Sequence, residues 1–131
     1  FGEAVVFTHG NMPKNFVTLV KQHGALLAKG WLLGVQFDTL FTDDLYCRIA
    51  RHANDAADRI REVLVERGYM LTFDAPTNQI FITLDNATSE RLQRNVRLGF
   101  MEKADDTHTV MRICTSWATT DEQVEQLIAL L

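Results

Sequence analysis

A long amphipathic pattern between residues 45 and 68 restricts the fold more than any other feature of the sequence. Apolar residues recur there at helical spacing: Leu45, Ile49, Ala53, Ala56, Ile60, Val63 and Leu64. Gly68 suits the position just after a helix C-terminus, and Thr42, followed by Asp43 and Asp44, is the predicted N-cap. Because such a helix has one apolar face, it must pack against another layer of secondary structure.

Short runs with strand character follow this helix and supply that layer. The predicted strands are residues 69–73, 79–84, 100–102 and 109–116, with a turn at Asp105-Asp106. A helix is predicted over 86–98, closed by Gly99, and a last helix begins with a capping box formed by Thr120 and Gln123. This order predicts an α+β domain with a small, largely antiparallel sheet covered by helices.

The first 41 residues have a different pattern. Residues 3–8 are apolar on both faces, which is typical of a buried strand. A helical pattern then runs over 14–41, and between 25 and 37 it is apolar on nearly every side, with Lys29 as its one charge. That stretch is too short to span a membrane, so we expect it to be covered by another domain or another chain.

Composition excludes several classes of partner. Thirteen basic and seventeen acidic residues, without a dense basic cluster, argue against nucleic acid and anionic membranes. Cys47 and Cys114 lie far apart and are expected to be small core residues in a reducing cytoplasm, and the four histidines have no metal-ligand spacing. The absence of an initial Met and of a polar lead-in indicates a piece of a longer protein.

Two groups of residues are candidates for binding an anion. Alternation in the strand 109–116 places Arg112 beside Val110 and Cys114 on a face that is expected to be apolar, where a guanidinium needs an anionic partner. A carboxylate ligand would satisfy it through paired hydrogen bonds, but so would a structural salt bridge, and a solvent-facing arginine is a further alternative. Lys21 and Lys29 lie eight residues apart, on one face of the predicted helix, where they could hold a phosphate or be simply exposed.

Three segments together carry a resemblance to a known family. They are GEAVVF (residues 2–7), KQHGALLAKGW (21–31) and MRICTSWAT (111–119), and RHAN (51–54) and TNQ (77–79) also fit. In this order they resemble the C-terminal portion of the low-specificity threonine aldolases and β-eliminating lyases. These enzymes are fold-type-I pyridoxal-phosphate enzymes, and the resemblance covers essentially the whole chain.

The resemblance implies a division of the chain and a role for three residues. Residues 1–41 would be the last strand of the large cofactor domain and a long linking helix at an interface, and residues 42–131 the C-terminal small domain. Arg112 would bind the substrate α-carboxylate, and Lys21 would lie near the cofactor phosphate. Many aldolases have an arginine where this chain has Ala28, and Lys29 would substitute for it as a phosphate or interface cation.

The implied activity is cleavage of L-threonine, or of another β-hydroxy amino acid, to glycine and an aldehyde. Pyridoxal 5'-phosphate would act as the electron sink. Its attachment lysine is expected upstream, so this chain alone should be inactive and contain no catalytic residue, and the full-length protein should be a homodimer or homotetramer. The alternatives are a β-eliminating lyase of the same fold and a non-catalytic binding or interaction domain.

Overall fold

The computed structural model describes residues 4–131, which divide into two compact units at Tyr46 and Cys47. The N-terminal unit contains helix α1 (Phe16–Gln22) and helix α2 (Trp31–Phe41), followed by a turn of 3-10 helix over Thr42–Asp44. Helix α3 (Leu45–Glu66) begins at the boundary and lies almost entirely in the C-terminal unit.

The C-terminal unit is an α+β domain, as predicted. Its sheet consists of β1 (Met70–Leu71), β2 (Gln79–Asp85), β3 (Gly99–Lys103) and β4 (His108–Cys114). The strand order is β1-β2-β4-β3, and every neighbouring pair is antiparallel. Helix α4 (Asn86–Gln93) connects β2 to β3, and helix α5 (Asp121–Leu130) follows β4. The pairing of β3 with β4 shifts register between Phe100 and Glu102, as at a β-bulge.

One face of the sheet carries the hydrophobic core. The alternate residues Ile80, Ile82 and Leu84 of β2, together with Met111 and Ile113 of β4, are buried. They form one cluster with side chains of α3, α4 and α5, namely Ala56, Ala57, Ile60, Leu64, Leu92 and Val124. The strand residues between them therefore point to the opposite face, which these helices leave uncovered.

The ends of the helices in this unit follow the predicted chemistry at two places. At Gly68, with φ +78°, the amide of Gly68 donates to Val65 and that of Tyr69 donates to Leu64, which is the Schellman pattern. At α5, Thr120 and Gln123 form both hydrogen bonds of the predicted capping box. Both helix boundaries could therefore be read from the sequence.

Helix α4 is shorter than predicted, because it ends at Gln93 instead of continuing to residue 98. Val96 packs against the core and Leu98 is buried in it, and Gly99 is the first residue of β3, not a residue that closes a helix. Residues 94–98, which were predicted to be helical, form no helix. They lead into β3, where Gly99 pairs with Arg112.

The N-terminal unit departs furthest from its predicted structure. Residues 4–8 form no strand, and Glu3, the first residue of the predicted strand, lies outside the described residues. A strand of a larger parallel sheet needs neighbouring strands to satisfy its backbone groups, and residues 4–46 supply none.

The predicted helix over 14–41 is interrupted between α1 and α2. Gly24 has φ +68°, and the amides of Gly24 and Ala25 donate to Lys21 and Val20, so α1 ends in a second Schellman pattern. Helix α2 starts only after Gly30. Gly24 and Gly30 therefore lie between two helices, in a segment where one long helix was predicted.

The junction between α2 and α3 also differs from the expectation. The Thr42 hydroxyl donates to the Asp38 carbonyl, so Thr42 serves the C-terminus of α2 and is not the N-cap of α3. Asp43 and Asp44 follow with φ values of 50° and 57°. Two consecutive left-handed residues turn the chain there, a conformation that aspartate tolerates better than most residues.

Candidate functional site

Arg112 lies at the middle of the uncovered face of the sheet. Its neighbours Met111 and Ile113 are buried in the core on the other side of β4, so the predicted alternation is correct. On its own face Val110 is buried, but Cys114 is exposed and Arg112 is half-buried. The face is therefore only partly apolar in the described residues.

Strands β2 and β3 flank Arg112 on both sides. Phe81 is its partner on β2, and Gly99 is its partner on β3. A Cβ atom at position 99 would lie 3.5 Å from Arg112 Nε, so the arginine side chain passes close above the glycine. On the β2 side, Arg112 Nη1 donates to Gln79 Oε1 at 3.3 Å. The guanidinium is thus held by a neutral acceptor.

The charge of Arg112 has no counterpart within residues 4–131. None of the ion pairs among these residues involves Arg112. Its Nε is shielded from solvent and has no hydrogen-bond partner among the described residues. Among the described residues, therefore, no structural salt bridge of the kind that the sequence left open holds this arginine, and an anionic ligand would supply the missing acceptor.

The strand ends beside Arg112 are fixed to helix α3. Thr115 is 3 % exposed, and its hydroxyl donates to the Ala53 carbonyl of α3 at 2.6 Å. Asn78 Nδ2 donates to the Thr115 carbonyl at 2.7 Å, and the Thr115 amide donates to Asn78 at 3.0 Å. Because Asn78 precedes Gln79 and Thr115 follows β4, these bonds set the relative position of Gln79 and Arg112.

The polar loop after β4 has a structural explanation. The Ser116 amide donates to the Thr119 hydroxyl at 2.8 Å, and His52 Nε2 lies 2.7 Å from the Thr119 carbonyl. With Thr120 as the N-cap of α5, the hydroxyl groups of this loop close turns and a helix end. Trp117, at the tip, is 70 % exposed.

Lys21 and Lys29 do not share one helix, which corrects the basis on which they were paired. Lys21 lies in the last turn of α1, and Lys29 lies in the turn before α2. Both are exposed and belong to the N-terminal unit, whereas Arg112 belongs to the C-terminal unit. The structure leaves the roles expected for the two lysines as predictions.

The two cysteines were expected in the core, and that expectation is wrong. Cys47 lies on the exposed side of the first turn of α3, and Cys114 lies at the end of β4 on the face opposite the core. Helical or strand spacing shows which residues share a face, but not which face is covered by the rest of the domain. Both thiols lie on the exposed face of their element.

A surface ion network joins two helices away from Arg112. Arg59 of α3 donates to Asp121 at 2.5 Å and also pairs with Glu125, both of which are on α5. The hydrogen bond that Arg59 donates to Asp121, together with the carboxylate of Glu125, raises the pKa of Arg59 despite some desolvation. Both carboxylates are exposed, so this network fastens α5 at the surface and is not a ligand site.

Residues 4–131 offer neither a metal cluster nor a helix that could cross a membrane. No group of three histidine, cysteine, aspartate or glutamate side chains in this range could hold an ion. None of its helices is both long and apolar enough to span a bilayer.

Arg112 with its neighbours Gln79 and Gly99 is the candidate site. The sequence identified only Arg112, because the roles of Gln79 and Gly99 depend on the strand register.

The sequence is similar to threonine aldolases over nearly its whole length, although no family model matches it. It is 28 % identical over 127 residues to the low specificity L-threonine aldolase of Pseudomonas aeruginosa, a match that covers 96 % of this chain and 36 % of that enzyme. It is also 28 % identical over 129 residues to the enzyme of the same description from another Pseudomonas strain, covering 98 % of this chain and 36 % of that enzyme. The chain therefore spans about a third of the length of these curated relatives.

Solved structures give the same result. A threonine aldolase from Leishmania major matches with a TM-score of 0.84 and 35 % identity, over 90 % of this chain and 34 % of that one. A serine palmitoyltransferase from Sphingomonas wittichii matches with a TM-score of 0.51 and 22 % identity, over 61 % of this chain and 22 % of that one, which supports the fold alone. The predicted resemblance to threonine aldolases is confirmed, and the extent of the matches is consistent with a C-terminal portion.

Proposed function

We propose that this chain is the C-terminal portion of a pyridoxal-phosphate-dependent lyase that cleaves L-threonine or another β-hydroxy amino acid to glycine and an aldehyde. The similarity to threonine aldolases by sequence and by structure supports this class of reaction. The observation that carries the proposal at the level of the site is the guanidinium of Arg112. In the part of the chain that the structure describes, its buried Nε has no partner and the group forms no ion pair with a carboxylate.

The role of Arg112 is to bind the α-carboxylate of the amino-acid substrate. A guanidinium offers parallel N–H donors that match the two oxygens of a carboxylate. Since Arg112 stands on a strand whose C-terminal end is bonded to α3 through Thr115, it would hold the substrate in a fixed orientation. Orientation of the bond to be broken is a positioning effect, which lowers the entropic part of the barrier.

The cofactor would supply the electron sink for cleavage of the Cα–Cβ bond. The exposed, separate positions of Lys21 and Lys29 do not by themselves fit a buried cofactor phosphate. The attachment lysine of the cofactor is assigned to residues outside this chain. Lys21 and Lys29 would meet the phosphate, or a neighbouring subunit, only in the assembled protein.

Assembly as a homodimer or homotetramer is part of the proposal, and the N-terminal unit supports it. Many of its apolar side chains are exposed, among them Val17, Leu26, Trp31, Leu32, Val35 and Phe41. Exposed apolar surface of this extent is typical of a segment covered by another domain or subunit.

The proposed division assigns residues 1–41 to the last strand of the large domain with the linking and interface region, and residues 42–131 to the small domain. The exposed thiols fit a reducing, cytoplasmic compartment.

The test is steady-state kinetics of the full-length protein with L-threonine, following acetaldehyde and glycine. In Arg112→Met we expect KM to rise roughly 10- to 100-fold, as for the loss of a hydrogen-bonded ion pair, while the cofactor absorbance stays unchanged. The KM of Arg112→Lys should lie between those of the wild type and Arg112→Met, since lysine keeps the charge and loses the paired donors.

Arg48→Met is the matched control, because Arg48 is an exposed arginine on α3. It should leave KM unchanged. An unchanged KM in Arg112→Met would contradict the carboxylate role. Release of ammonia and a keto acid in place of glycine and acetaldehyde would contradict aldol cleavage and assign the protein to β-elimination.

A further inference from the structure

We propose that Gln79 and Gly99 are positioning residues for Arg112, which together present its guanidinium to an incoming carboxylate. The inference rests on the proposed carboxylate role of Arg112. Gln79 stands on β2 and Gly99 on β3, the two strands that flank β4. The arginine side chain thus has one of these residues on each side.

Gly99 provides the space in which the Arg112 side chain lies. A Cβ atom at this position would come within 3.5 Å of both the Cβ and the Nε of Arg112 and 3.4 Å of its carbonyl oxygen. Those distances are ordinary van der Waals contacts, so alanine fits. A branched side chain adds two methyl groups to that Cβ, and we expect one of them to crowd Nε, because the Cβ itself is already in van der Waals contact with it. Since glycine weakens a strand, its presence opposite Arg112 calls for such a reason.

Gln79 orients the guanidinium without neutralising it. Its amide oxygen accepts from Nη1 at 3.3 Å, which fixes the direction of the planar group while the net positive charge remains. Among residues 4–131 no other side chain or carbonyl accepts a hydrogen bond from the Arg112 guanidinium. The remaining N–H donors are therefore available to a ligand. Glutamate in place of Gln79 would bind the same nitrogen as an ion pair and would compete with a substrate carboxylate.

The position of Gln79 is itself fixed by the strand register. Gln79 is paired with Cys114, two residues along β4 from Arg112. The backbone N–H of Gln79 donates to the Thr77 hydroxyl at 3.2 Å. Asn78, the preceding residue, is bonded to Thr115 in both directions. The acceptor therefore stands on a rigid strand end, as a group that orients another side chain must.

The experiment uses the full-length protein with five variants: Gln79→Met, Gln79→Glu, Gly99→Ala, Gly99→Val and Arg112→Met. KM and kcat for L-threonine, the Kd for glycine by calorimetry, and the unfolding temperature are measured for each. We expect Gln79→Met to raise KM and the glycine Kd about 3- to 10-fold with kcat within about twofold of wild type. Gln79→Glu should raise both by more than Gln79→Met does.

The order of the variants separates positioning from packing. If Gln79 had a merely structural role, glutamate, which has the same shape, would be the milder change. Gly99→Ala should resemble wild type, and Gly99→Val should approach Arg112→Met. If Gly99→Val lowers the unfolding temperature, the two Gln79 variants, on a half-buried side chain, still decide the question.

Three results would overturn the inference, and they are distinguishable. If Arg112→Met raises KM and the glycine Kd but the Gln79 and Gly99 variants do not, the positioning role is wrong and the proposed function stands. If Arg112→Met changes neither quantity, the carboxylate role fails and the positioning role fails with it. A Gln79→Glu variant that binds glycine as tightly as wild type would also contradict the expected competition between the new carboxylate and the substrate.

Discussion

The placement of Arg112 on a strand limits how the residue can move. Its backbone pairs with β2 on one side and β3 on the other, so only the side chain has rotational freedom. Contact with Gly99 and the hydrogen bond to Gln79 reduce that freedom further. A long side chain ordered before its ligand arrives loses less entropy on binding, which favours affinity for a small anion.

Thr115 is the residue on which the geometry of the strand ends depends. Its buried hydroxyl donates to Ala53, with Asn78 as a second, longer acceptor at 3.3 Å. We expect Thr115→Val to lower the free energy of unfolding by about 1–2 kcal/mol, because a buried hydrogen bond to α3 is lost with little change in volume. Urea unfolding measures it, with Thr72→Val at an exposed hydroxyl as the matched control and an expected change within about 0.5 kcal/mol. Equal losses in the two variants would show that the buried hydroxyl contributes nothing specific.

At the scale of the elements, the stability of the hairpin formed by β3 and β4 depends on pH. The amide and hydroxyl of Thr107 donate to the Asp105 carboxylate at 2.7 and 2.8 Å, and the His108 amide donates at 2.8 Å. These bonds, led by the Thr107 amide, hold the pKa of Asp105 well below its usual value. Because the pKa of Asp105 is lower in the folded than in the unfolded protein, this stabilisation is complete above the unfolded pKa, and it is lost as the pH falls toward the folded one.

The acid limb of the stability curve tests this arrangement. The urea midpoint of the wild type should fall as the pH decreases below about 4, the usual pKa of aspartate. Asp105→Asn keeps an acceptor but no longer titrates, so its midpoint should fall less steeply over the same range. Asp106→Asn, at the neighbouring exposed carboxylate, should retain the wild-type slope. A wild-type slope in Asp105→Asn would contradict the proposed origin of the acid sensitivity.

The sequence predicted those elements whose signals are local and strong. Strand β2 appeared within one residue of its predicted bounds, since alternation and β-branched residues act on the strand itself. The capping box of Thr120 and Gln123 is equally local. Gly24 also indicated a break between α1 and α2. One continuous helix was predicted instead, because apolar residues at helical spacing lie on both sides of this glycine.

The candidate site could be predicted only in part, because it is made of three strands. Arg112 was found from alternation along one strand. Gln79 and Gly99 carry no chemical signal of their own, and only the register that places them beside β4 gives them a role. Register depends on contacts between distant parts of the chain, which no local pattern contains.

At the scale of the whole molecule, the two units differ in how much they bury. The buried residues of the described chain all lie in the C-terminal unit, at or after Ala53. In the chain studied alone, we therefore expect the amides of α2 to exchange with solvent far faster than those of α3, β2 and β4. Hydrogen-exchange mass spectrometry measures this, and α5, a helix of ten residues against the eleven of α2, is an internal control.

The same measurement on the full-length protein examines the proposed assembly. If another domain or subunit covers the apolar side chains of α2, its amides should become as protected as those of α5. Rapid exchange of α2 in both samples would contradict a buried interface at this helix. Slow exchange of α2 in the isolated chain would instead show that the N-terminal unit is stable by itself.

The shift of register within β3 has a consequence for how the sheet meets other molecules. Strand β3 is an edge strand, and an edge with unpaired backbone groups can recruit further strands and start fibrils. Phe100 and Met101 are exposed there and would favour such growth. The irregularity between Phe100 and Glu102 interrupts the regular row of donors and acceptors, and the charges of Glu102 and Lys103 follow it directly. This edge is therefore a poor template for aggregation in spite of its apolar side chains.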